Sequence, residues 1–368
     1  MRACKMIPIS YNDNKLQFYN SYIFDFKNKI KKYEQKGYIG NRKKKSVNEA
    51  IRVYGTLDAS QRSVFDRDVP DDWQNSQEDI LIPSDIFDDE TSLFFDWLIS
   101  DDHLFSLLNA FPEELVDYIK YVQRTFPNIN QKSSILYKNI YHVFVNIGYG
   151  NISKKELIDA TGQICCPYCN RAYIGRVDDK GKTIKGELDH FYTKEIFPFL
   201  AISKYNLVPS CSFCNGESGK HTINCFSEKM INPYSLNSCH NDIKFYFEIK
   251  DIKAYKRHEI EKAIEIKVHK STRIQKNLKT FHIEALYKTH IDHIAELILK
   301  SEIKYPKPYR EMLYDKLKPL NLTDEEIDRV IVGNYVEEKD FHKRPLAKLY
   351  YDIAKDLHLI EGEQASNS

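Results

Sequence analysis

Apolar residues recur at Leu16, Tyr19, Tyr22, Ile23, Phe26, Ile30 and Tyr33, three or four apart, which places them on one face of an amphipathic helix. A second helix is predicted from Pro112 to Phe126, with proline in its first turn and Glu113-Glu114 near the positive end of its dipole. A third runs from about Ser133 to Ile147 and meets Gly148-Tyr-Gly150; Ser153-Lys-Lys-Glu156 then has the form of a capping box opening a helix that stops at Gly162. Farther on the period changes. Phe245–Ile249 and Ile264–Val268 alternate apolar and polar residues and predict two strands. Helices resume from about Ile274 to Ile303, from the Thr323 N-cap with Glu326 three residues on to Gly333, and from Pro345 to Leu357. The fold class expected is α+β and mostly helical: a helical region over 1–161, a metal-centred insert over 162–235, and a strand pair with helices over 236–368. The polar tail from about residue 361 is expected to be disordered.

Composition narrows the class. A hydrophobic content of 42% with 29% charged residues is ordinary for a globular protein of 368 residues. The net charge of +1 argues against a histone-like binder that holds nucleic acid by bulk charge. Charge is unevenly spread: residues 27–45 are rich in Lys and Arg, whereas Asp66, Asp68, Asp71, Asp72, Asp85, Asp88, Asp89 and Glu90 make residues 57–102 acidic. The basic run is expected either to grip phosphates or to be a charged helix end followed by an exposed loop, and the acidic stretch to be loop with short helical pieces. No apolar run approaches the ~20 residues needed to span a bilayer, and the N-terminus lacks the apolar stretch of a secretory signal. A cytoplasmic protein in a reducing compartment is expected.

Eight cysteines are too few for a disulfide scaffold at this length, and four stand in metal-ligand spacing: Cys166-Pro-Tyr-Cys169 and Cys211-Ser-Phe-Cys214. Two knuckles of two thiolates each are the usual donor set of tetrahedral structural zinc. Cys165 competes with Cys166 for one place, and the two-residue spacer favours Cys166. Cys-Pro-Tyr-Cys is also a redox motif, but that motif belongs after a strand at the start of a small βαβ domain, and here helices precede it. His282, His290 and His293 lack a thiolate partner at good spacing and are expected on a solvated face.

Between the knuckles, Lys185–Phe191 is predicted as a short strand carrying Asp189-His190 and Tyr205–Val208 as its return, and the segment from Cys211 to about Gly219 as the opening of a helix. This order lets Asp189 and Asn215 converge on one hard cation, Mg²⁺ or Mn²⁺, while the thiolates take Zn²⁺. A histidine beside such an ion can activate water for attack on a phosphodiester, the metal neutralising the charge that develops. Arg171, Arg176, Lys194 and Lys204 are the candidates for contacts to a nucleic-acid backbone.

The block Cys166-Pro-Tyr-Cys169-Asn-Arg, Asp189-His190-Phe, Asn206-Leu-Val-Pro and Cys211-Ser-Phe-Cys214-Asn215 resembles the HNH nucleases, the ββα-metal family. The resemblance implies an endonuclease cutting DNA, with His190 as general base and Asn206 orienting the site and bracing its loop. It implies Asp189 and Asn215 as catalytic-metal ligands, with His221 as the alternative ligand, and the four cysteines as a zinc staple. Thr193 stands where the family often has proline; Ser218 stands where it has lysine, with Lys220 two residues later. The longer run Asn206–Asn215 with Ile231-Asn-Pro-Tyr234 is similar to the HNH proteins of Septu-type antiphage defence systems. That likeness implies a nuclease effector working beside an ATPase subunit. A standalone restriction or repair nuclease, and an inactive zinc-stapled module that binds nucleic acid or protein, are the alternatives.

Overall fold

The computed structural model describes residues 9–175, 177–179, 182–184, 186–235 and 243–360. Among the described residues the structure is mostly helical, with four two-stranded ribbons. Strands β1 (Lys43–Lys45) and β2 (Ile80–Ile82) pair antiparallel, as do β3 (Val177–Asp179) and β4 (Lys182–Ile184). Strand β5 (Glu187–His190) pairs with β6 (Leu207–Ser210), and β7 (Ile243–Ile249) pairs antiparallel with β8 (Ile264–Lys270). Two compact units result. One holds residues 161–189 and 208–368 with the N-terminal segment to Asn12; the other holds residues 13–160 and 190–207.

In the unit of residues 13–160 and 190–207, the predicted first helix spans Gln17–Lys36 and buries Tyr19, Ile23, Phe26 and Ile30. It ends at Gly37, whose φ of 74° is the left-handed conformation that closes a helix without a Cβ penalty. The Pro112–Thr125 helix matches its prediction. The next element begins as an α-helix at Ile135–Ile140 and continues as a wider π-helix through Tyr149. The acidic stretch departs from expectation. It contains two full helices, Ala59–Asp68 and Asp89–Ile99, capped by the side chains of Asp58 and Asp88. Asp58 and Asp88 there accept the otherwise orphaned N–H groups of Gln61 and Thr91, whereas Asp66 and Asp68 lie at the far end of Ala59–Asp68. The basic run departs too: Lys43–Lys45 is a strand, because its partner Ile80–Ile82 supplies the apolar side chains buried with Phe65, Val69 and Trp73.

The connection between β5 and β6 belongs to this helical unit and is fastened to it. Phe191, Phe197, Phe199, Leu200, Ala201 and Ile202 are all fully buried, at roughly 1.5–3 kcal/mol for each large apolar side chain removed from water. The buried Tyr19 hydroxyl donates to the Ile202 carbonyl at 2.6 Å, and the Tyr137 hydroxyl to that of Glu195 at 2.9 Å.

In the other unit, β7 and β8 run seven residues each in register from Ile243↔Lys270 to Ile249↔Ile264, longer than the alternation alone predicted. The helical stretch expected from about Ile274 to Ile303 is made of Gln275–Thr280, Ile283–Tyr287 and Ile291–Leu299. His282, at φ 51°, makes the first break; left-handed backbone cannot continue a right-handed helix. The Asp324–Val332 helix carries the predicted Thr323–Glu326 capping box and ends at Gly333 with φ 86°. The last helix spans Ala347–Asp356. The tail from residue 361 lies outside the described residues.

Candidate metal centre and the Asp189-His190 strand

Cys166, Cys169, Cys211 and Cys214 bring their sulfurs within 4.8 Å of one another. Zn–S bonds of about 2.3 Å in a tetrahedron require S···S separations of about 3.8 Å, and Cys169 Sγ lies 4.0 Å from Cys211 Sγ. The four thiols therefore fit a zinc ion and can bind one. Cys165 is buried but outside the cluster, which resolves the choice between it and Cys166. Without a metal the thiols share protons unevenly. Burial raises Cys166, whereas hydrogen bonds with neighbouring thiols, Cys166 first, hold Cys169 and Cys211 low. A soft dication bound among the four sulfurs takes them as thiolates, so zinc binding releases their protons.

The protein around the knuckles is built to hold them. Asn170, at φ 50°, turns the chain after Cys169. Its amide donates to the carbonyls of Phe341 and Arg344, and its side-chain oxygen accepts from Lys348 N–H at 3.0 Å. The buried Tyr287 hydroxyl donates to the Cys169 carbonyl at 2.7 Å while its ring stacks on Phe245 of β7, 4.2 Å between centroids. At the second knuckle Cys211 precedes a single helical turn, Ser212–Asn215, rather than the longer helix expected to Gly219. The chain folds back so tightly there that a Cβ on Gly219 would lie 2.3 Å from the Cys214 carbonyl oxygen.

Asp189 sits on β5 within the same unit as the knuckles. Its carboxylate is buried, with Lys220 Nζ 3.0 Å from Oδ1 and the Tyr168 hydroxyl 2.6 Å from Oδ2. Tyr168, the third residue of the first knuckle, stacks on Phe281 at 4.3 Å between centroids. Burial raises the Asp189 pKa, and Lys220 and Tyr168 oppose that rise. Asn215 donates from Nδ2 to Glu187 at 2.7 Å, across from the strand's first residue. Alternation along β5 puts Glu187 on the same face as Asp189, close enough for its charge to raise the Asp189 pKa further. His221 is exposed, with φ 41°, and its Nδ1 lies 3.2 Å from the Thr222 hydroxyl.

His190 follows Asp189 and belongs to the helical unit. A carbonyl oxygen only accepts, so the 3.0 Å contact between His190 Nε2 and Ala201 O places the ring proton on Nε2 and leaves Nδ1 as the basic nitrogen. The ring packs against Tyr149, centroids 4.4 Å apart. Asn206 is fully buried and closes the loop between the strands. Its Nδ2 donates to Tyr192 O and Leu200 O, and its Oδ1 accepts from Tyr192 N–H at 2.7 Å.

Among the described residues, the cysteines are the one group of three or more His, Cys, Asp or Glu side chains placed to share an ion. Of the oxygen donors expected to hold a second, hard cation, Asp189 is a buried carboxylate on β5, and Asn215 turns its Nδ2 to Glu187. Lys220 already neutralises Asp189, so an ion on Oδ1 requires the ammonium to withdraw. Of the basic candidates, Arg171 donates to His290 Nε2 at 2.8 Å, Lys194 lies over the Tyr149 ring, and Lys204 over Tyr205. Arg176 lies outside the described residues. His293 faces the Tyr350 hydroxyl at 2.7 Å. Sequence reasoning missed Tyr168 and Tyr149 and doubted Lys220; the pairings form across distant segments, and no local spacing signals them. A cavity of about 670 Å³ lined by Trp97, His103, Phe111, Tyr118 and Tyr121 contains none of these site residues.

With this geometry in place, comparison with known proteins finds a similarity to the Septu protein PtuB of Bacillus thuringiensis. The two are 36% identical over 81 residues, 22% of this chain and 28% of the relative. The chain thus matches less than a third of that protein's length. No family model matches the chain, and no solved structure matches it. Among the described residues, no helix is long and apolar enough to cross a membrane.

Proposed function

We propose that the chain is a metal-dependent endonuclease of the HNH type, the nuclease effector of a bacterial antiphage system working with an ATPase subunit. The observation that carries this reading is the order strand, strand, helical turn, with Asp189-His190 on the first strand and a four-thiol cluster whose second knuckle follows the second strand. The similarity to a Septu protein supports the defence role. His190, whose Nε2 donates to the Ala201 carbonyl, would serve as general base for the attacking water. Asn206 keeps the loop that carries Ala201 at its place. Asp189 and Asn215, with His221 as the alternative, would hold Mg²⁺ or Mn²⁺, which supplies charge neutralisation at the phosphate and the departing oxygen. Zinc on the four cysteines holds the segment's shape. DNA is the substrate assigned and the cytoplasm the compartment.

The buried Lys220–Asp189 pair favours a second reading, an inactive zinc-stapled module that binds nucleic acid or protein. Plasmid nicking with Mg²⁺ or Mn²⁺, alone and with the ATPase encoded alongside, separates the two. The nuclease reading expects nicking by wild type and a loss of about 10²–10⁴-fold in His190→Ala. Equal behaviour of the two proteins under every condition selects the inactive module.

A further inference from the structure

Tyr149, which packs on His190, also gathers two cations. Lys154 Nζ lies 4.2 Å from its ring centroid and Lys194 Nζ 5.4 Å. The three residues come from separate places: Tyr149 ends the π-helix, Lys154 opens the next helix, and Lys194 follows His190 by four residues. All belong to the helical unit, and all three are partly exposed. The mount is firm, since the Tyr22 hydroxyl donates to the Gly148 carbonyl at 2.9 Å and ties down the residue before Tyr149. Each ammonium is attracted by the ring's π-face. An anion placed against both ammonium groups is attracted by each.

We propose that Tyr149, Lys154 and Lys194 form a phosphate subsite for the backbone of a nucleic-acid strand, on the side of His190. The inference rests on the nuclease reading for its substrate class and adds the residues that seat the strand. A phosphate held there brings a neighbouring phosphodiester to the imidazole without contact to base edges, so the grip is independent of sequence. Lysine suits this task as a compact point charge. The aromatic ring limits where the two ammonium groups stand.

The test is fluorescence anisotropy of a labelled DNA duplex with the zinc-loaded full chain, titrated with salt and without added Mg²⁺ or Mn²⁺. Lys154→Ala/Lys194→Ala is expected to lower the slope of log affinity against log salt by about one per lysine. Lys154→Arg/Lys194→Arg is expected to restore it, and the exposed pair Lys253→Ala/Lys256→Ala to leave it unchanged. Unchanged zinc content and melting temperature show that the variants fold. No binding by wild type, an unchanged slope in the double alanine variant, or an equal fall in the control pair overturns the subsite. Binding with the expected loss but no nicking sinks the nuclease reading and keeps the subsite; nicking with an unaltered slope does the reverse.

Discussion

Lys220 Nζ stands 3.0 Å from Asp189 Oδ1, with 1% and 3% of the two side chains exposed. An ion pair this deep is held by mutual attraction against a large desolvation cost, so removal of either partner leaves a buried charge uncompensated. Lys220→Met is expected to lose about 3–5 kcal/mol of stability. If Asp189 is a metal ligand, the variant also acquires a dependence on divalent ions, since bound metal replaces the lost cation. Thermal melts with and without Mn²⁺ read both effects. Equal melting temperatures in the two conditions would contradict Asp189 as a ligand.

The thiol cluster joins two chain segments that pack around it, and a metal bound there contributes its binding energy to the fold. Cys211→Ala is expected to abolish zinc retention and unfold the knuckles. Elemental analysis together with limited proteolysis checks this; a variant that keeps stoichiometric zinc argues for another ligand set.

Asn206 spans the loop between β5 and β6 with three hydrogen bonds from one buried amide. Asn206→Ala leaves the Tyr192 N–H and two carbonyls without those partners, at about 1–3 kcal/mol for each buried group left unsatisfied. The expected result is a large fall in denaturation midpoint and faster amide exchange across residues 191–206. Exchange that stays as slow as wild type rejects Asn206 as the brace.

Lys348 Nζ and Asp352 Oδ1 form a second buried pair at 2.6 Å, and Asp352 Oδ2 also accepts from Phe245 N–H at 2.9 Å. Asp352→Ala therefore strands an ammonium and the first bond between helix Ala347–Asp356 and β7. A cost of about 3–5 kcal/mol is expected, read by urea unfolding. Replacement of both residues by apolar ones of similar volume is expected to recover most of it.

His290 and His342 both have pKa values below the ordinary 6.5, through burial first; Arg171 adds to the effect at His290 and Lys343 at His342. The unfolded chain then takes up protons before the folded one as pH falls. Stability from this source is complete above 6.5 and is lost as pH drops through the lowered folded values. Melts from about pH 8 to about pH 5, with zinc measured at each pH, are expected to show the decline. His290→Gln/His342→Gln is expected to flatten it; an identical profile assigns the decline to other groups.

The amphipathic period of Gln17–Lys36, the proline start of Pro112–Thr125, the Thr323–Glu326 cap and the alternation of β7 and β8 were all legible in the chain. So was the thiol set, because two-residue spacers leave little freedom in how sulfurs converge. These features depend on neighbours within a few residues. The helices in the acidic stretch were misread, because clustered aspartates at two N-caps look like the composition of a loop. Lys43–Lys45 became a strand only because Ile80–Ile82 offered a partner.

Sequence alone determined the four-thiol set, since donor type and local spacing are properties of the chain. Tertiary structure decided what each donor meets: Lys220 and Tyr168 at Asp189, Glu187 at Asn215, Ala201 and Tyr149 at His190. Those encounters join positions from 11 to 41 residues apart. No periodicity records them, because they follow from how buried surfaces close on one another.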